Sequence, residues 1–157
     1  MVKNRITLSG FAGTGKSTIG KILAEKLNCK FVSVGDFSRD YAKNKSPDIN
    51  EFQEECKCNP EHDKMIDGKF SEECNQDINI IVDYRLGFHF IKDAFHVLLK
   101  VSDEIAAARI QKSNREKEDT DIDSIKKRNQ AMRQRFIDTY NVDFADENNY
   151  DLIIGHC

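Results

Sequence analysis

The sequence predicts an α/β fold: a five-stranded parallel sheet with helices on both faces and a small mobile lid. Three observations lead there. Five short apolar stretches, at 5–9, 30–34, 78–82, 94–101 and 150–154, alternate with longer helix-like segments. Such alternation implies parallel strands joined by crossover helices. The stretch Ile78-Asn79-Ile80-Ile81-Val82 is apolar almost throughout, as a strand covered on both faces must be. Between the first stretch and the first helix lies Gly10-Phe11-Ala12-Gly13-Thr14-Gly15-Lys16-Ser17, which fits the G-x-x-x-x-G-K-[ST] phosphate-binding pattern at every fixed position.

The residue types of that segment follow from what a phosphate needs. Several backbone N–H groups must meet its oxygens at once, and Gly13 and Gly15 have no Cβ to obstruct the approach. The helix that follows directs its positive dipole end at the anion. Lys16 supplies a mobile point charge for the β- and γ-phosphates, and Ser17 supplies a hydroxyl ligand for Mg²⁺. Gly10, Thr14 and Thr18 complete the expected nucleotide-binding set. The fold class is therefore that of a P-loop NTPase. This signal specifies a nucleoside triphosphate and leaves open what is done with it.

The helix after the loop carries Ile19, Ile22, Leu23 and Leu27 at helical spacing, so these four are expected to face the sheet. The second strand, 30–34, ends at Gly35-Asp36. A helix begins at Phe37 and breaks at Pro47. A short helix over 48–56, capped by Ser46 or Asp48, and a longer one starting at Asn59-Pro60-Glu61 follow. The third strand ends in Asp83-Tyr84-Arg85, ahead of a short helix within 86–92. After the fourth strand, Ser102 caps a helix with Asp103 and Glu104 in its first turn. Residues 112–121 are almost all polar and offer no face to a core, so they read as the exposed lid. A long helix over 121–140 and a last strand over 150–154 close the chain. One kinase-sized domain over 1–157 is expected, with acceptor-binding helices within 36–76.

Composition limits the function. The 157 residues carry 32% charged and 39% hydrophobic side chains and a net charge of −3. That is no footprint for a nucleic acid polymer. No apolar run approaches the roughly 20 residues of a membrane span. The chain opens directly into a strand, so neither a signal peptide nor a membrane partner is expected, and a cytoplasmic monomer is. Five cysteines, Cys29, Cys56, Cys58, Cys74 and Cys157, are expected to be reduced thiols. The spacing of Cys56-Lys57-Cys58 is too short for a zinc pair. The four histidines show no catalytic pattern.

Phosphoryl transfer is positioning and charge neutralisation, so the remaining candidates are carboxylates and cations at the carboxyl edge of the sheet. Asp83, at the end of an apolar strand, is placed to hold a metal-bound water; the alternative is a solvated strand end. Asp36 either meets the metal or acceptor, or caps the next helix. Arg39 and Arg85 project over the same edge, where a guanidinium clamps phosphate bidentately; the alternative for each is a surface salt bridge. Arg109, Arg115, Arg128, Arg133 and Arg135 surround the polar connection, and two or three of the five are expected to close over the transferring group. Among them Arg115 and Arg128 are assigned to catalysis and Arg109 to ATP.

From residue 6 to about 154 the chain resembles the short, archaeal-type cytidylate kinases of the nucleoside monophosphate kinase family. The resemblance rests on the loop at 10–17, Val34-Gly35-Asp36-Phe37-Ser38-Arg39, Asn59-Pro60-Glu61-His62-Asp63, Val82-Asp83-Tyr84-Arg85-Leu86, the Arg109 helix and Tyr150-Asp151-Leu152-Ile153-Ile154. It implies transfer of the γ-phosphate of ATP to CMP or dCMP with Mg²⁺. It also implies that Arg39 and Arg85 hold the acceptor's phosphate, and that arginines of the lid and of the helix after it neutralise the transferring group. Two places depart from the family pattern. Tyr84 stands where Gly is usual, and a ring there is expected to narrow or reshape the acceptor site. The family usually continues into a helix after the last strand, whereas this sequence stops at Cys157. The loop and first helix are also similar to shikimate kinases. A nucleotide-binding regulatory protein with weak kinase activity is the alternative from another class.

Overall fold

The computed structural model describes residues 4–11, 13–45, 60–112 and 121–156. Five strands, β1 (Asn4–Ser9), β2 (Lys30–Ser33), β3 (Asn79–Asp83), β4 (Phe95–Val101) and β5 (Leu152–His156), form one sheet. Its order is β2-β3-β1-β4-β5, and every pairing is parallel. The helices are α1 (Lys16–Leu27), α2 (Val34–Lys45), α3 (Pro60–Gln76), α4 (Gly87–Phe90), α5 (Asp103–Lys112) and α6 (Ile122–Tyr140).

The third strand shows why its sequence is apolar throughout. Ile80 and Val82 enter one core cluster with Phe70, Cys74, Tyr84, Leu86, Ile91 and Phe144. Ile81 enters the opposite one with Leu8, Ala24, Val97 and Leu99. Alternate residues of β3 are thus buried on alternate faces. Arg5 is buried too, and its guanidinium donates to the carbonyls of Asp77, Asn75 and Lys92 at 2.5, 2.7 and 2.9 Å. Burial raises the Cys74 thiol to about 12, which leaves it an inert core group.

Three local expectations are corrected. The first helix does not pack through all of Ile19, Ile22, Leu23 and Leu27: Ile22 and Leu27 are exposed. Its buried residues are Gly20 and Ala24. A Cβ on Gly20 would stand 2.4 Å from the Phe31 ring and 3.2 Å from Leu8. The helix therefore rests on the sheet at its smallest side chain, and the stripe turns away from Ile22. The second strand stops at Ser33 rather than Val34. Ser33 Oγ accepts from the Asp36 N–H, and this N-cap starts α2 three residues before Phe37. The last strand begins at Leu152 rather than Tyr150, because Tyr150 caps the 3₁₀ turn Glu147–Asn149, its N–H donating to the Glu147 carbonyl. The short helix expected over 48–56 and the Cys56–Cys58 pair lie outside the described residues, as does the lid apart from Lys112 and Asp121. No described helix is long and apolar enough to cross a membrane.

Candidate functional site

In strand order, the connection leaving β1 runs toward β2 and the one leaving β3 runs toward β4, yet β1 and β3 are neighbours. Their carboxyl ends bound the crevice where ligands of open α/β sheets bind. The loop after β1 is the Gly10–Ser17 segment, and the loop after β3 is Asp83-Tyr84-Arg85. They are stitched together. Tyr84 N–H donates to the Leu8 carbonyl at 3.1 Å, Ser9 Oγ donates to the Arg85 carbonyl at 2.7 Å, and Arg85 Nε donates to the Gly10 carbonyl at 3.0 Å.

The loop's glycines are required by its shape. Gly13 and Gly15 have φ of 82° and 86°, in the left-handed region that side chains resist. A Cβ on Gly13 would also lie 2.8 Å from the Ala106 carbonyl oxygen. Thr14 Oγ1 donates to the Phe11 carbonyl at 2.9 Å, and Lys16 Nζ reaches the same oxygen at 3.3 Å. The lysine thus lies folded over the loop mouth.

A cavity of about 730 Å³ opens over this loop. It is lined by Gly13 to Ile19, by Ser33, Val34, Gly35 and Arg39, by Asp83 and Arg85, and by Arg109 and Ile110. Ser17 Oγ donates to Asp83 Oδ2 at 2.9 Å. A hydroxyl beside a carboxylate, facing a phosphate-shaped loop, is an oxygen donor set suited to Mg²⁺, which favours one or two carboxylates together with substrate phosphates. No described group of three or more His, Cys, Asp or Glu residues is placed to hold a metal by itself. Arg109 Nη1 leans on the Gly13 carbonyl at 3.4 Å.

The remaining candidates separate. Asp36 is paired with Arg39 and lines a different cavity, with Phe37, Phe70 and Cys74. It is not among the residues that line the cavity over the loop with Ser17 and Asp83. Arg133 makes a two-pronged pair with Asp143 at 2.8 and 2.6 Å. Arg135 lines a smaller cavity with Asp67, Tyr84, Arg85 and Tyr140. Arg128 lies on α6, outside the lining of all three cavities. Arg115 is outside the described residues.

Sequence reading overlooked a buried polar cluster. Asp67 on α3 is 9% exposed. Its carboxylate accepts from Tyr84 Oη at 2.6 Å and from Tyr140 Oη at 2.5 Å. Burial pushes the Asp67 carboxyl up, against the pull of Tyr140, Tyr84 and Arg135. Burial, then the Asp67 charge, pushes the Tyr84 phenol far up, so it stays a donor. The departure at Tyr84 thereby has a place: its ring packs edge-on to Phe70 at 5.1 Å and its hydroxyl holds Asp67. A second overlooked group supports the loop. Tyr150 Oη donates to the Phe144 carbonyl at 2.6 Å and meets Ser9 Oγ at 3.0 Å, while Phe11 packs edge-on to Phe144 at 4.8 Å.

Residues 6–149 match the family described as AAA domain. The chain belongs to this family. It is a P-loop, kinase-like member with nucleotide-binding relatives. The cytidylate kinase of Methanosphaera stadtmanae is 34% identical over 150 residues, covering 96% of this chain and 87% of that protein. An S-adenosylmethionine-dependent nucleotide dehydratase from Lacinutrix mariniflava is 61% identical over 154 residues, covering 98% of this chain and 32% of that protein. The chain thus spans about a third of the length of this relative. A shikimate kinase structure from Bacteroides thetaiotaomicron superposes with a TM-score of 0.60 at 18% identity, covering 97% of this chain and 85% of that one. It shares the fold of this family member.

Proposed function

We propose that the chain is a nucleoside monophosphate kinase that moves the γ-phosphate of ATP to CMP or dCMP. The observation that carries this reading is that Lys16 and Ser17 of the phosphate loop share one cavity with Arg39 and Arg85. The donor's phosphates fit the loop and the acceptor's phosphate fits the two guanidiniums. The kinship with cytidylate kinases at 34% identity supports cytidine as the base.

In the reaction an acceptor phosphate oxygen attacks the γ-phosphorus, and the bond to the ADP oxygen breaks. A monophosphate oxygen is already anionic near neutral pH, so no histidine base is needed. The loop N–H groups and Lys16 hold the donor, and Arg39 and Arg85 hold the acceptor in line. Ser17 and Asp83 would hold Mg²⁺, which supplies neutralisation of the phosphate charge when bound. Arg109 joins the donor side, and residues 1–157 act as one kinase domain.

A second reading is favoured by the 61% identity to part of a nucleotide dehydratase. In it the phosphoryl transfer serves a nucleotide-dehydrating activity, by raising a monophosphate toward the phosphorylated nucleotide which that activity consumes. ADP formation measured with each nucleoside monophosphate and with shikimate tests the first reading. CMP or dCMP should lead the panel. ATP binding without turnover on any acceptor would favour a regulatory protein, and shikimate turnover would favour the other kinase class. Formation of a dehydrated nucleotide from a monophosphate and ATP by this chain and a dehydratase together, absent with either alone, tests the second.

A further inference from the structure

The smaller cavity, about 190 Å³, begins where the larger one ends, because Arg85 lines both. It lies below the roughly 300–1,000 Å³ of sites that enclose a drug-sized ligand. It therefore takes a single ring and not a whole nucleotide. Its walls include Tyr84, Phe136 and Tyr140, which suit a flat ring, and among the described residues the carboxylate lining it is Asp67. An acceptor whose phosphate sits on Arg85 has this cavity beside it for its base.

The state of Asp67 limits what that base can be. Each carboxylate oxygen accepts one tyrosine hydroxyl, and each keeps a lone pair for one more donor. Neither tyrosine can turn its proton elsewhere without leaving the carboxylate short of a partner. The group is thus fixed as an acceptor. A cytosine ring offers its exocyclic amino group to such a carboxylate, whereas uracil offers a carbonyl at the same position and would meet it lone pair to lone pair.

Resting on the kinase reading above, we propose that Asp67, clamped by Tyr84 and Tyr140 on the wall of the cavity beside Arg85, is the residue that selects an amino-bearing pyrimidine in the acceptor. Tyr84 and Tyr140 are positioning residues that act through Asp67. Tyr84, whose hydroxyl holds Asp67, is then part of the base-reading apparatus.

The test compares CMP and UMP, in steady-state turnover and in direct calorimetric binding, for the native chain, Asp67→Asn, Tyr84→Phe and Tyr140→Phe. An amide presents a donor as well as an acceptor. Asp67→Asn should therefore lower the CMP:UMP ratio of kcat/KM by about ten- to a hundredfold, the worth of a hydrogen bond to a charged group. The same fall should appear in binding, with ATP binding unchanged. Each Tyr→Phe variant should lower the ratio less, and through KM rather than kcat. Those variants keep the aromatic packing, so they report even where Asp67→Asn melts early. An unchanged ratio in a folded Asp67→Asn chain or in both tyrosine variants overturns the proposal while leaving the kinase reading intact. A native chain that phosphorylates no monophosphate overturns the kinase reading and this one with it.

Discussion

Arg85 Nε donates to the Gly10 carbonyl at 3.0 Å, so the cation that the kinase reading gives to the acceptor is anchored to the backbone of the phosphate-binding loop. The coupling is reciprocal, since Ser9 Oγ grips the Arg85 carbonyl at 2.7 Å. Arg39, by contrast, comes from α2, where it pairs with Asp36 three residues away on the same helix. The two guanidiniums share a cavity but have different supports.

Their substitutions should therefore differ. Arg39→Ala should weaken the acceptor by about 1.5–3 kcal/mol, the worth of a charge-assisted contact, and leave ATP binding nearly unchanged. Arg85→Ala should do the same and also weaken ATP, because the loop loses its brace. Arg39→Lys should recover part of the loss, since a point charge cannot fork. Separate KM values for ATP and CMP decide this; a loss of ATP affinity in Arg39→Ala would put that cation on the donor side.

Lys16→Ala should lower turnover by something on the order of 10²–10³, as loss of one preorganised donor to developing charge does. It should also remove most of the stabilisation by Mg²⁺–ATP, which is about 2.7 kcal/mol at a hundredfold excess over Kd. A thermal shift with and without nucleotide, read beside the turnover, checks both. Near-native activity in this variant would remove Lys16 from the site.

Much of the fold was legible because its signals are local. The Gly10–Ser17 loop, the apolar run of β3 and the start of α6 at Asp121, whose side chain accepts from Ser124 N–H at 2.7 Å, depend only on neighbours in sequence. The crevice was legible for the same reason, since Lys16, Ser17, Asp83 and Arg85 sit beside strand ends. Asp67 was not. It lies mid-helix, 17 residues from Tyr84 and 73 from Tyr140, and nothing in a single sequence brings those three together. The failure at Ile22 has the opposite origin. Apolar spacing predicted a packing stripe, but close approach to Phe31 is possible only where Gly20 stands, and tertiary contact overrode the periodicity.

Gly20 therefore yields a stability prediction in which two effects oppose. Alanine gains roughly 0.8–1 kcal/mol over glycine inside a helix, while its Cβ would enter a contact of 2.4 Å with the Phe31 ring. Overpacking of this kind costs about 1–3 kcal/mol. Gly20→Ala should thus be mildly destabilising, and Gly20→Val, which lacks the helix gain and adds branches, clearly more so. Urea unfolding of both variants orders them; a valine variant as stable as the native chain would mean that α1 does not sit this close to β2.

The Arg133–Asp143 pair gives the pH dependence. The two-pronged hydrogen bond from Arg133, aided by the Ala145 N–H, holds the Asp143 carboxyl below the usual carboxylate range, against a smaller opposing effect of burial. A depressed acid binds fewer protons when folded than when unfolded. Its contribution is therefore complete above the unfolded value of about 3.9 and is lost as pH falls through the folded one. Both side chains are partly exposed, 44% and 30%, so solvent screening holds the contribution to roughly 0.2–1 kcal/mol. Asp67 acts with the opposite sign: its raised carboxyl costs stability as pH rises above the same unfolded value. The native chain's own acid limb mixes the two, and only a variant isolates Asp143. Asp143→Asn should lower stability at pH 7 by up to about 1 kcal/mol, and the gap to the native chain should close as pH falls below about 4. Unfolding curves for both chains between neutral and acid pH measure that gap. A gap that stays constant down to the acid end would mean that the carboxylate charge contributes nothing and that the amide has only lost packing.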